Sequence, residues 1–158
     1  MTEPILCRLG AAHLASLIEL EQAGQPHPWS PAQLAAVLTD PQASAWGALE
    51  VKQQSLLGFA VLYRLPFDAE LQAITVAPWV RRQGIARALL IRLCEEAEAW
   101  GSERLLLEVR ASNAAAIALY RQLAFEVDGR RRGYYPASAE RAGHAGTRED
   151  ALLMSRRL

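Results

Sequence analysis

The sequence predicts a mixed α/β fold in which helices pack on both faces of one sheet. Short apolar runs, several of which alternate with polar residues as strands do, recur along the chain. Between these runs, apolar residues at spacings of three and four indicate helices. Of the 158 residues, 51% are hydrophobic and 22% are charged, which is the balance of a globular domain. No internal repeat or linker interrupts the pattern, so we expect residues 1–158 to form a single domain.

The elements are predicted in the order β-α-α-β-β-β-α-β-α-β-β. Gly24 is the expected stop of the first helix, and Ser30, Pro31 and Gln33 form the N-cap pattern of the second. Short turns join the second, third and fourth strands, which therefore form an antiparallel meander. The predicted strands are residues 5–9, 45–51, 56–65, 69–76, 104–109, 125–129 and 151–155, and the predicted helices are residues 11–23, 30–39, 84–100 and 113–123. Residues 133–147 are expected to form a flexible loop.

The composition excludes several classes of function. The formal net charge is zero, which argues against broad electrostatic binding of nucleic acid. Cys7 and Cys94 are too few and too far apart for a disulfide framework, and the three histidines show no ligand spacing, so we expect no metal site. The N-terminus lacks a signal-peptide pattern, and no run approaches the roughly 18 apolar residues of a membrane span. A soluble cytoplasmic protein without a membrane partner is therefore expected.

Residues 81–90 predict an anion-binding turn. They follow the strand that ends at Val76, carry Arg82, Gly84 and Arg87, and lead into a helix. The first N–H groups of a helix have no internal partner, the helix dipole there favours negative charge, and a glycine lets a ligand approach the backbone. An ordinary strand-to-helix connection with solvated arginines explains this stretch equally well when it is taken alone. The glycine-rich motifs of P-loop and dinucleotide-binding proteins are absent from the sequence.

Glu108 interrupts the apolar strand at residues 104–109, which is expected to be buried on both faces. A carboxylate in such a strand is costly unless it is paired or reached by water. One interpretation is a glutamate on an exposed edge, or one paired with Arg104 or Arg110. The other interpretation is a general base in an active site.

Five further residues have both a structural and a functional interpretation. Tyr120 lies about two helical turns after Asn113, so both side chains can line one face of a helix. Tyr120 is equally explained as a core tyrosine, and Asn113 as a plain N-cap. Trp29, Tyr134 and Tyr135 stand beside prolines or a glycine, where aromatic residues either pack at a rim or line a ligand groove.

Taken together, these segments resemble the GCN5-related N-acetyltransferases. The pattern Arg-x-x-Gly-x-Ala at residues 81–86, after a strand and before a long helix, resembles the acetyl-CoA signature of that family. Residues 107–120 are more specific and closely resemble the matching segment of the RimI-type ribosomal-protein N-alpha-acetyltransferases. Residues 28–30, 131–136 and 148–151 match the same subfamily in the same order, so the resemblance covers nearly the whole chain.

The resemblance implies the acyl-CoA N-acyltransferase fold, a mostly antiparallel sheet that splays between its fourth and fifth strands to hold acetyl-CoA. It implies that Glu108 is the general base and that Tyr120 is the acid that protonates the departing thiolate. Backbone groups of residues 74–76 would pair with the pantetheine arm, those of residues 82–87 would hold the pyrophosphate, and Asn113 would hydrogen-bond to acetyl-CoA. The implied acetyl-CoA-binding residues are Ile74, Thr75, Val76, Arg82, Gln83, Gly84, Ile85, Ala86, Arg87, Asn113 and Tyr120.

The implied reaction is transfer of the acetyl group to the N-terminal α-amino group of a ribosomal protein, small-subunit protein eighteen in this subfamily. Trp29, Tyr134 and Tyr135 would line the path of that peptide, and the loop at residues 137–147 is longer than is usual in the subfamily. An α-amino group has a pKa of about 7.7–8.0, so a modest base acting through a water suffices and no metal is needed. The oligomeric state is left open, a monomer being compatible with the sequence. Two alternatives remain: an acetyltransferase acting on lysine side chains or small amines, and a non-catalytic acyl-CoA-binding module.

Overall fold

The computed structural model describes residues 3–136 and 148–158, and in this part of the chain seven strands form one mixed sheet of order β1-β2-β3-β4-β5-β7-β6. Every neighbouring pair is antiparallel except β4 and β5, which are parallel. The strands are β1 (Ile5–Arg8), β2 (Ala43–Leu49), β3 (Leu56–Arg64), β4 (Ala69–Val76), β5 (Arg104–Arg110), β6 (Glu126–Tyr135) and β7 (Glu149–Arg157). The helices are α1 (Leu14–Gly24), α2 (Pro31–Thr39), α3 (Ile85–Ala99) and α4 (Ala114–Gln122). The observed order confirms the predicted fold class.

Helices cover both faces of the sheet because β3, near its centre, presents apolar side chains to either side. Phe59 and Val61 pack with α1 and α2 in one cluster, and Ala60 and Leu62 pack with α3 and α4 in the other. All four of these residues are fully buried. A strand buried on both faces has an almost continuous apolar sequence, which is why residues 56–63 show so little alternation.

The sheet opens between β4 and β5. Only Ala69 and Glu70 of β4 pair with β5, opposite Leu105 and Leu106. Just beyond them the register of β4 against β3 shifts, because Leu62 pairs with Leu71 while the preceding Val61 pairs with Ala73. Gln72 is thus an extra residue in β4, and a β-bulge of this kind bends its strand and ends pairing. The bulge separates the two strands, as the predicted splay between the fourth and fifth strands requires.

The first helix is built differently from the prediction. A 3-10 turn at Ala11–His13 precedes α1, so the α-helix begins later than predicted, whereas it ends at Gly24 as predicted. A Cβ at Gly24 would lie 2.6 Å from Cγ2 of Thr75 and 3.3 Å from the carbonyl oxygen of Val76. Glycine is therefore needed here because the helix packs directly against β4. The N-cap pattern predicted for α2 is confirmed, since Ser30 and Gln33 exchange side-chain hydrogen bonds with each other's backbone N–H.

The last two strands are longer than predicted. Residues 133–135, expected in a loop, continue β6, while residues 137–147 of that loop lie outside the described residues. The strand continues past Gly133, whose φ is +60°, because side chains at the start of β7 and just before it hold both sides of the glycine. Asp150 accepts a hydrogen bond from the N–H of Gly133 at 2.9 Å, and Arg148 donates to the carbonyl oxygens of Gly133 and Tyr134. Such long-range side-chain contacts leave no trace in local sequence spacing.

Within residues 3–136 and 148–158, no helix is both long and apolar enough to cross a membrane. The same residues contain no cluster of three or more His, Cys, Asp or Glu side chains arranged to hold a metal ion.

Candidate active site

Three adjoining cavities follow the gap between β4 and β5, and together they form one path across the molecule. The inner pocket, of about 600 Å³, lies between the end of β4 and the starts of α3 and α4. The middle pocket, of about 380 Å³, lies in the gap itself, and the outer cleft, of about 540 Å³, opens beside α2 and β6. Ile74, Asn113 and Tyr120 line both the inner and the middle pocket, whereas Glu108 and Tyr135 line both the middle pocket and the outer cleft.

The start of α3 forms the floor of the inner pocket and is suited to an anion. Gly84 is the N-cap in the left-handed conformation, with φ of +81°, and it makes no side-chain capping bond. The N–H groups of Ile85, Ala86 and Arg87 therefore have no partner within the helix, and the first turn carries no acidic residue. Arg82 also has a positive φ, +65°, in the turn just before the helix. Uncapped N–H groups at a positive helix end beside arginines are what a pyrophosphate group requires.

Arg81 fastens this turn to the opposite face of the sheet. Its Nη2 donates to the carbonyl oxygen of Gly24, at the C-terminal end of α1, at 2.9 Å. On the sheet itself, Gly58 of β3 allows the first turn of α3 to approach, since a Cβ there would lie 2.9 Å from Cγ2 of Ile85. The position of this helix start is thus fixed by contacts to both α1 and β3.

The edge of β4 that faces the gap carries backbone groups suited to binding an extended ligand. The N–H of Ala77 donates to Leu57 of β3 at 2.8 Å, so it points away from the gap. Because successive residues of a strand present their backbone groups to opposite edges, those of Ile74 and Val76 face the gap and those of Thr75 face β3. Gln25 supports this assignment, since its Nε2 donates to the carbonyl oxygen of Ile74 at 3.1 Å.

Of the predicted acetyl-CoA-binding residues, most line the inner pocket. They are Ile74, Val76, Arg82, Gly84, Ile85, Ala86, Arg87, Asn113 and Tyr120. Thr75 and Gln83 do not line that pocket. The backbone groups of Thr75 face β3 instead of the gap and its side chain is buried against α1, and Gln83 is exposed.

Asn113 and Tyr120 lie on the face of α4 that closes the gap. The Oδ1 of Asn113 accepts from the N–H of Ala116 at 3.2 Å, so the residue is an N-cap as well as part of the pocket wall. Tyr120 is buried, and its ring packs against Phe125 with centroids 5.8 Å apart. Burial, followed by the nearby Tyr135, raises the pKa of Tyr120 to about 12. The phenol therefore stays protonated at neutral pH and can donate a proton into the gap.

Glu108 lies where the middle pocket meets the outer cleft. Its side chain is 28% exposed, and its Oε1 lies 3.6 Å from Nη2 of Arg131. The prediction that this strand is buried on both faces is wrong. Leu105, Leu107 and Val109 are buried, whereas the residues that alternate with them are not, and Glu108 among these lines the cavities. Of the alternatives left open for Glu108, pairing with Arg104 or Arg110 is not the one found, since these arginines bind Asp68 and Glu149.

Aromatic side chains line the outer cleft. Trp29, Tyr134 and Tyr135 are all among its lining residues. The two tyrosine rings meet edge to face at 5.0 Å, and the Arg131 guanidinium lies over the ring of Tyr134 at 5.2 Å. Burial, then the negative charge of Glu108, raises the pKa of Tyr135 to about 12, so this side chain is also a neutral donor.

Sequence reasoning missed a network that holds the loop after α1 against β4. Glu21 is 2% exposed and accepts from the hydroxyl of Thr75 at 2.6 Å and from the N–H of Trp29 at 2.9 Å. Gln25 donates to the same threonine hydroxyl at 2.9 Å. A signal was present, because Glu21 occupies the apolar stripe of α1, where an acidic residue must be paired.

A second missed network supports α4. Glu149 on β7 is 6% exposed and accepts from the N–H of Ser112 at 2.9 Å and from Arg110 at 3.2 Å. Arg110 in turn lies over the ring of Tyr135 at 4.5 Å. Burial alone would raise the pKa of Glu149, but the hydrogen bonds from Ser112 and the adjacent arginine lower it. The charged carboxylate thus positions both the turn that carries Asn113 and the wall of the outer cleft.

A splayed sheet edge that leads to an uncapped helix start, with a carboxylate and a neutral phenol beside it, defines a site for transferring an acyl group from coenzyme A. The chain belongs to the acetyltransferase (GNAT) family, whose sequence model matches residues 14–125. This result confirms the predicted family and the predicted class of enzyme, an N-acetyltransferase that uses acetyl-CoA as its co-substrate.

The chain is also similar to individual proteins of known name. It is 37% identical over 148 residues to the ribosomal protein bS18-alanine N-acetyltransferase of Escherichia coli K12, covering 93% of each chain. It is 37% identical over 145 residues to the N-alpha-acetyltransferase RimI of Mycobacterium tuberculosis, covering 87% of this chain and 88% of that protein.

Solved structures show the same fold. The crystal structure of the ribosomal-protein-S18-alanine N-acetyltransferase from Escherichia coli matches with a TM-score of 0.86 at 35% identity, covering 97% of this chain and 92% of that one. Arabidopsis thaliana NAA60 in complex with acetyl-CoA matches with a TM-score of 0.83, covering 98% of each chain. At 18% identity, the second likeness is one of fold alone.

Proposed function

We propose that this protein transfers the acetyl group of acetyl-CoA to the N-terminal α-amino group of a ribosomal protein, small-subunit protein eighteen by its similarity to the Escherichia coli enzyme. The observation that carries the proposal is the continuous path through the three cavities. It brings Tyr120, on the acetyl-CoA side, and Glu108, on the side open to a protein substrate, to the same middle pocket. We also infer that residues 1–158 act as one catalytic domain.

Glu108 is the general base in this proposal. An amine must lose a proton as it attacks the thioester carbonyl carbon, and a carboxylate that is partly exposed at the pocket entrance can accept that proton directly or through a water. Because an α-amino group has a pKa of about 7.7–8.0, against about 10.4 for lysine, a base of ordinary strength is enough for an α-amine. The position of Glu108 between the two outer cavities favours an acceptor that enters from the aromatic cleft.

Tyr120 is the general acid. When the new C–N bond forms and the C–S bond breaks, the sulfur leaves as a thiolate, which the Tyr120 hydroxyl protonates. Its pKa of about 12 ensures that the proton is present at neutral pH. The phenolate then regains a proton from solvent, so the net change is one acetyl group transferred and one thiol released.

Backbone groups would hold the acetyl-CoA and stabilise the charge that develops on its carbonyl oxygen. The N–H of Val76, which faces the gap, is the donor best placed for that oxygen. Ile85, Ala86 and Arg87 would hold the pyrophosphate through the uncapped N–H groups of α3. The protein thus supplies position and fixed dipoles, while acetyl-CoA supplies the activated acyl group.

The test is to incubate the protein with acetyl-CoA and a panel of ribosomal N-terminal peptides, and to locate the acetyl group by mass spectrometry. We expect acetylation of the α-amine, with Glu108→Gln reducing kcat by about 100-fold or more while acetyl-CoA affinity changes little. Glu126→Gln, an exposed glutamate on β6, is the matched control and should retain full activity. Acetylation of lysine side chains with the N-termini untouched would overturn the proposed function, and full activity in Glu108→Gln would overturn the role of that residue.

A further inference from the structure

The outer cleft contains a second carboxylate, Glu70 of β4, for which the proposed mechanism has no use. Glu70 lines the outer cleft together with Glu108. Among the described residues that line the middle pocket, Glu108 and Tyr120 are present and Glu70 is not. The path outward from the acetyl-CoA side therefore passes Tyr120 first, then Glu108, and then Glu70.

The strand register fixes the spacing of the two carboxylates. Glu70 pairs with Leu106 in the short parallel β4–β5 ladder, and Glu108 lies two residues further along β5 on the same face. Two residues of a strand span about 7 Å and neighbouring strands lie about 5 Å apart, so the Cα atoms of Glu70 and Glu108 are about 8 Å apart. One residue of an extended peptide spans about 3.5 Å, and a long side chain adds several ångströms more. A peptide whose terminal amine lies at Glu108 therefore brings the side chain of its second residue within reach of Glu70.

The two carboxylates differ in their charge partners. Glu108 has the Arg131 guanidinium at 3.6 Å, whereas Glu70 has no Arg, Lys or His partner within 4.0 Å among residues 3–136 and 148–158. Partial burial, and then the negative charge of Glu108, raise the pKa of Glu70 above its ordinary value, although the Gln72 side chain and the positive charge of Arg131 partly oppose this shift. A half-buried carboxylate beside another negative charge is stabilised by any cation that binds there.

We propose that Glu70 is a specificity-determining residue that selects acceptor peptides carrying Arg or Lys at their second position. The inference rests on the proposed N-alpha-acetylation. A cationic side chain at that position would pair with Glu70 across the cleft, and the aromatic walls would cover its alkyl part. An acidic side chain would instead meet two carboxylates, so the cleft both attracts one class of peptide and repels the other.

The experiment compares three peptides that differ only at the second residue, which is Arg, Gln or Glu, as acceptors for the wild-type protein and three variants. We expect kcat/KM to be about tenfold higher for the Arg peptide than for the Gln peptide, mainly through KM, and lowest for the Glu peptide. In Glu70→Gln, kcat/KM for the Arg and Gln peptides should differ by no more than about twofold. In Glu70→Lys, the Glu peptide should have the highest kcat/KM. Glu19→Gln, an exposed glutamate on α1, should leave the wild-type ratios unchanged.

The outcomes separate this inference from the proposed function. If the wild-type protein acetylates the three α-amines but Glu70→Gln leaves their kcat/KM ratios unaltered, the role of Glu70 is wrong and the proposed function stands. If the wild-type protein acetylates none of the α-amines, both are overturned.

Discussion

Tyr120 illustrates how a single buried side chain combines packing and chemistry. Its ring, on α4, packs on Phe125 and closes the gap. Tyr120 also lines both the inner and the middle pocket. Burial, then Tyr135, raises its pKa to about 12, which is the direction an acid catalyst needs if it is to stay protonated over the working range. The same burial that makes Tyr120 part of the core thus keeps it in its acid form.

This pKa predicts the shape of the pH–rate profile. A raised pKa means that the acid form of Tyr120 is lost only as the pH approaches 12. With an α-amine peptide, kcat/KM should therefore rise as the amine deprotonates at about pH 7.7–8.0 and then stay level to about pH 10. The measurement is the initial rate of thiol release, with circular dichroism as a check that the protein remains folded. A fall in rate between about pH 8.5 and 10 in folded protein would contradict the assignment.

Removal of the phenol hydroxyl tests the same residue directly. Tyr120→Phe keeps the ring that packs on Phe125, so we expect little loss of stability and little change in acetyl-CoA affinity. Turnover should fall by about 100-fold or more, because the departing thiolate then has no acid beside it. Steady-state kinetics and calorimetric binding of acetyl-CoA provide the two readouts. An unchanged kcat would show that the thiolate leaves without help from Tyr120.

At the scale of elements, the site depends on how closely α1 approaches β4. Gly24 of α1 lies against Thr75 and Val76. Glu21, one turn earlier, accepts a hydrogen bond from the Thr75 hydroxyl. The helix therefore positions the strand whose backbone faces the gap. A change on α1, on the other side of the sheet from α3, should for this reason affect acetyl-CoA binding as well as stability.

Gly24→Ala tests this packing. Alanine is intrinsically better than glycine in a helix by about 1 kcal/mol, yet its Cβ would lie 2.6 Å from Cγ2 of Thr75. We expect a net destabilisation of about 1–3 kcal/mol in urea unfolding, together with weaker acetyl-CoA binding. Gly10→Ala is the matched control, because no atom lies within 4 Å of its added Cβ and its φ of −133° suits any residue. Equal stability of the two variants would contradict the close contact between α1 and β4.

The connection from β5 to α4 depends on Glu149 of β7, and its stability should vary with pH. The folded protein holds the pKa of this carboxyl below its ordinary value through Ser112 and Arg110, against the opposing effect of burial. A lowered pKa stabilises the fold above about pH 4.5, and this stabilisation is lost as the pH falls through the folded-state pKa. Glu149→Gln should therefore lower the free energy of unfolding by about 1–3 kcal/mol at pH 7.

The difference in free energy of unfolding between wild type and Glu149→Gln should narrow as the pH falls from about 4.5 through the lowered folded-state pKa, because the wild-type carboxyl then also becomes neutral. Urea unfolding at a series of pH values measures it. Glu126→Gln on the same hairpin, whose glutamate is exposed, should show no such pH-dependent difference from wild type. A gap between wild type and Glu149→Gln that is constant from neutral to acidic pH would show that the charge of Glu149 does not stabilise this connection.

Local spacing in the sequence predicts most of the elements, because apolar periodicity is a property of neighbouring residues. Local spacing does not predict the features that depend on residues far apart in the sequence. Gly24 ends the first helix as predicted, but local spacing did not show that it also permits contact with β4, and residues 133–135 extend β6 because Arg148 and Asp150 hold them. The strand at Glu108 alternates in burial because Leu105, Leu107 and Val109 pack in the cluster with α3 and α4, whereas the described cluster with α1 and α2 includes no β5 residue. No pattern within β5 indicates this.

At the scale of the whole molecule, the residues of the site come from four elements that meet only in the fold. β4 contributes backbone groups, α3 an anion site, β5 the carboxylate and α4 the phenol. The resemblance to a known family linked these segments in the sequence, and the splayed sheet explains physically why they lie together. Supporting residues such as Glu21 and Glu149 escaped sequence reasoning, because each acts through a partner more than 30 residues away.

Bound acetyl-CoA should therefore contact both β4 and α3, and the protection of their backbone N–H groups can be measured by hydrogen exchange. Binding should slow exchange at the N–H groups of Val76 and of Ile85 to Arg87, which face the gap and the pocket. The N–H of Ala77 already donates to Leu57 of β3, so it should change far less and provides an internal control. At about 100 times the Kd, binding adds about 2.7 kcal/mol to stability, which corresponds to a rise of about 5–11 °C in Tm. Protection confined to the β6–β7 hairpin, with α3 unaffected, would place the ligand outside the gap and contradict this arrangement.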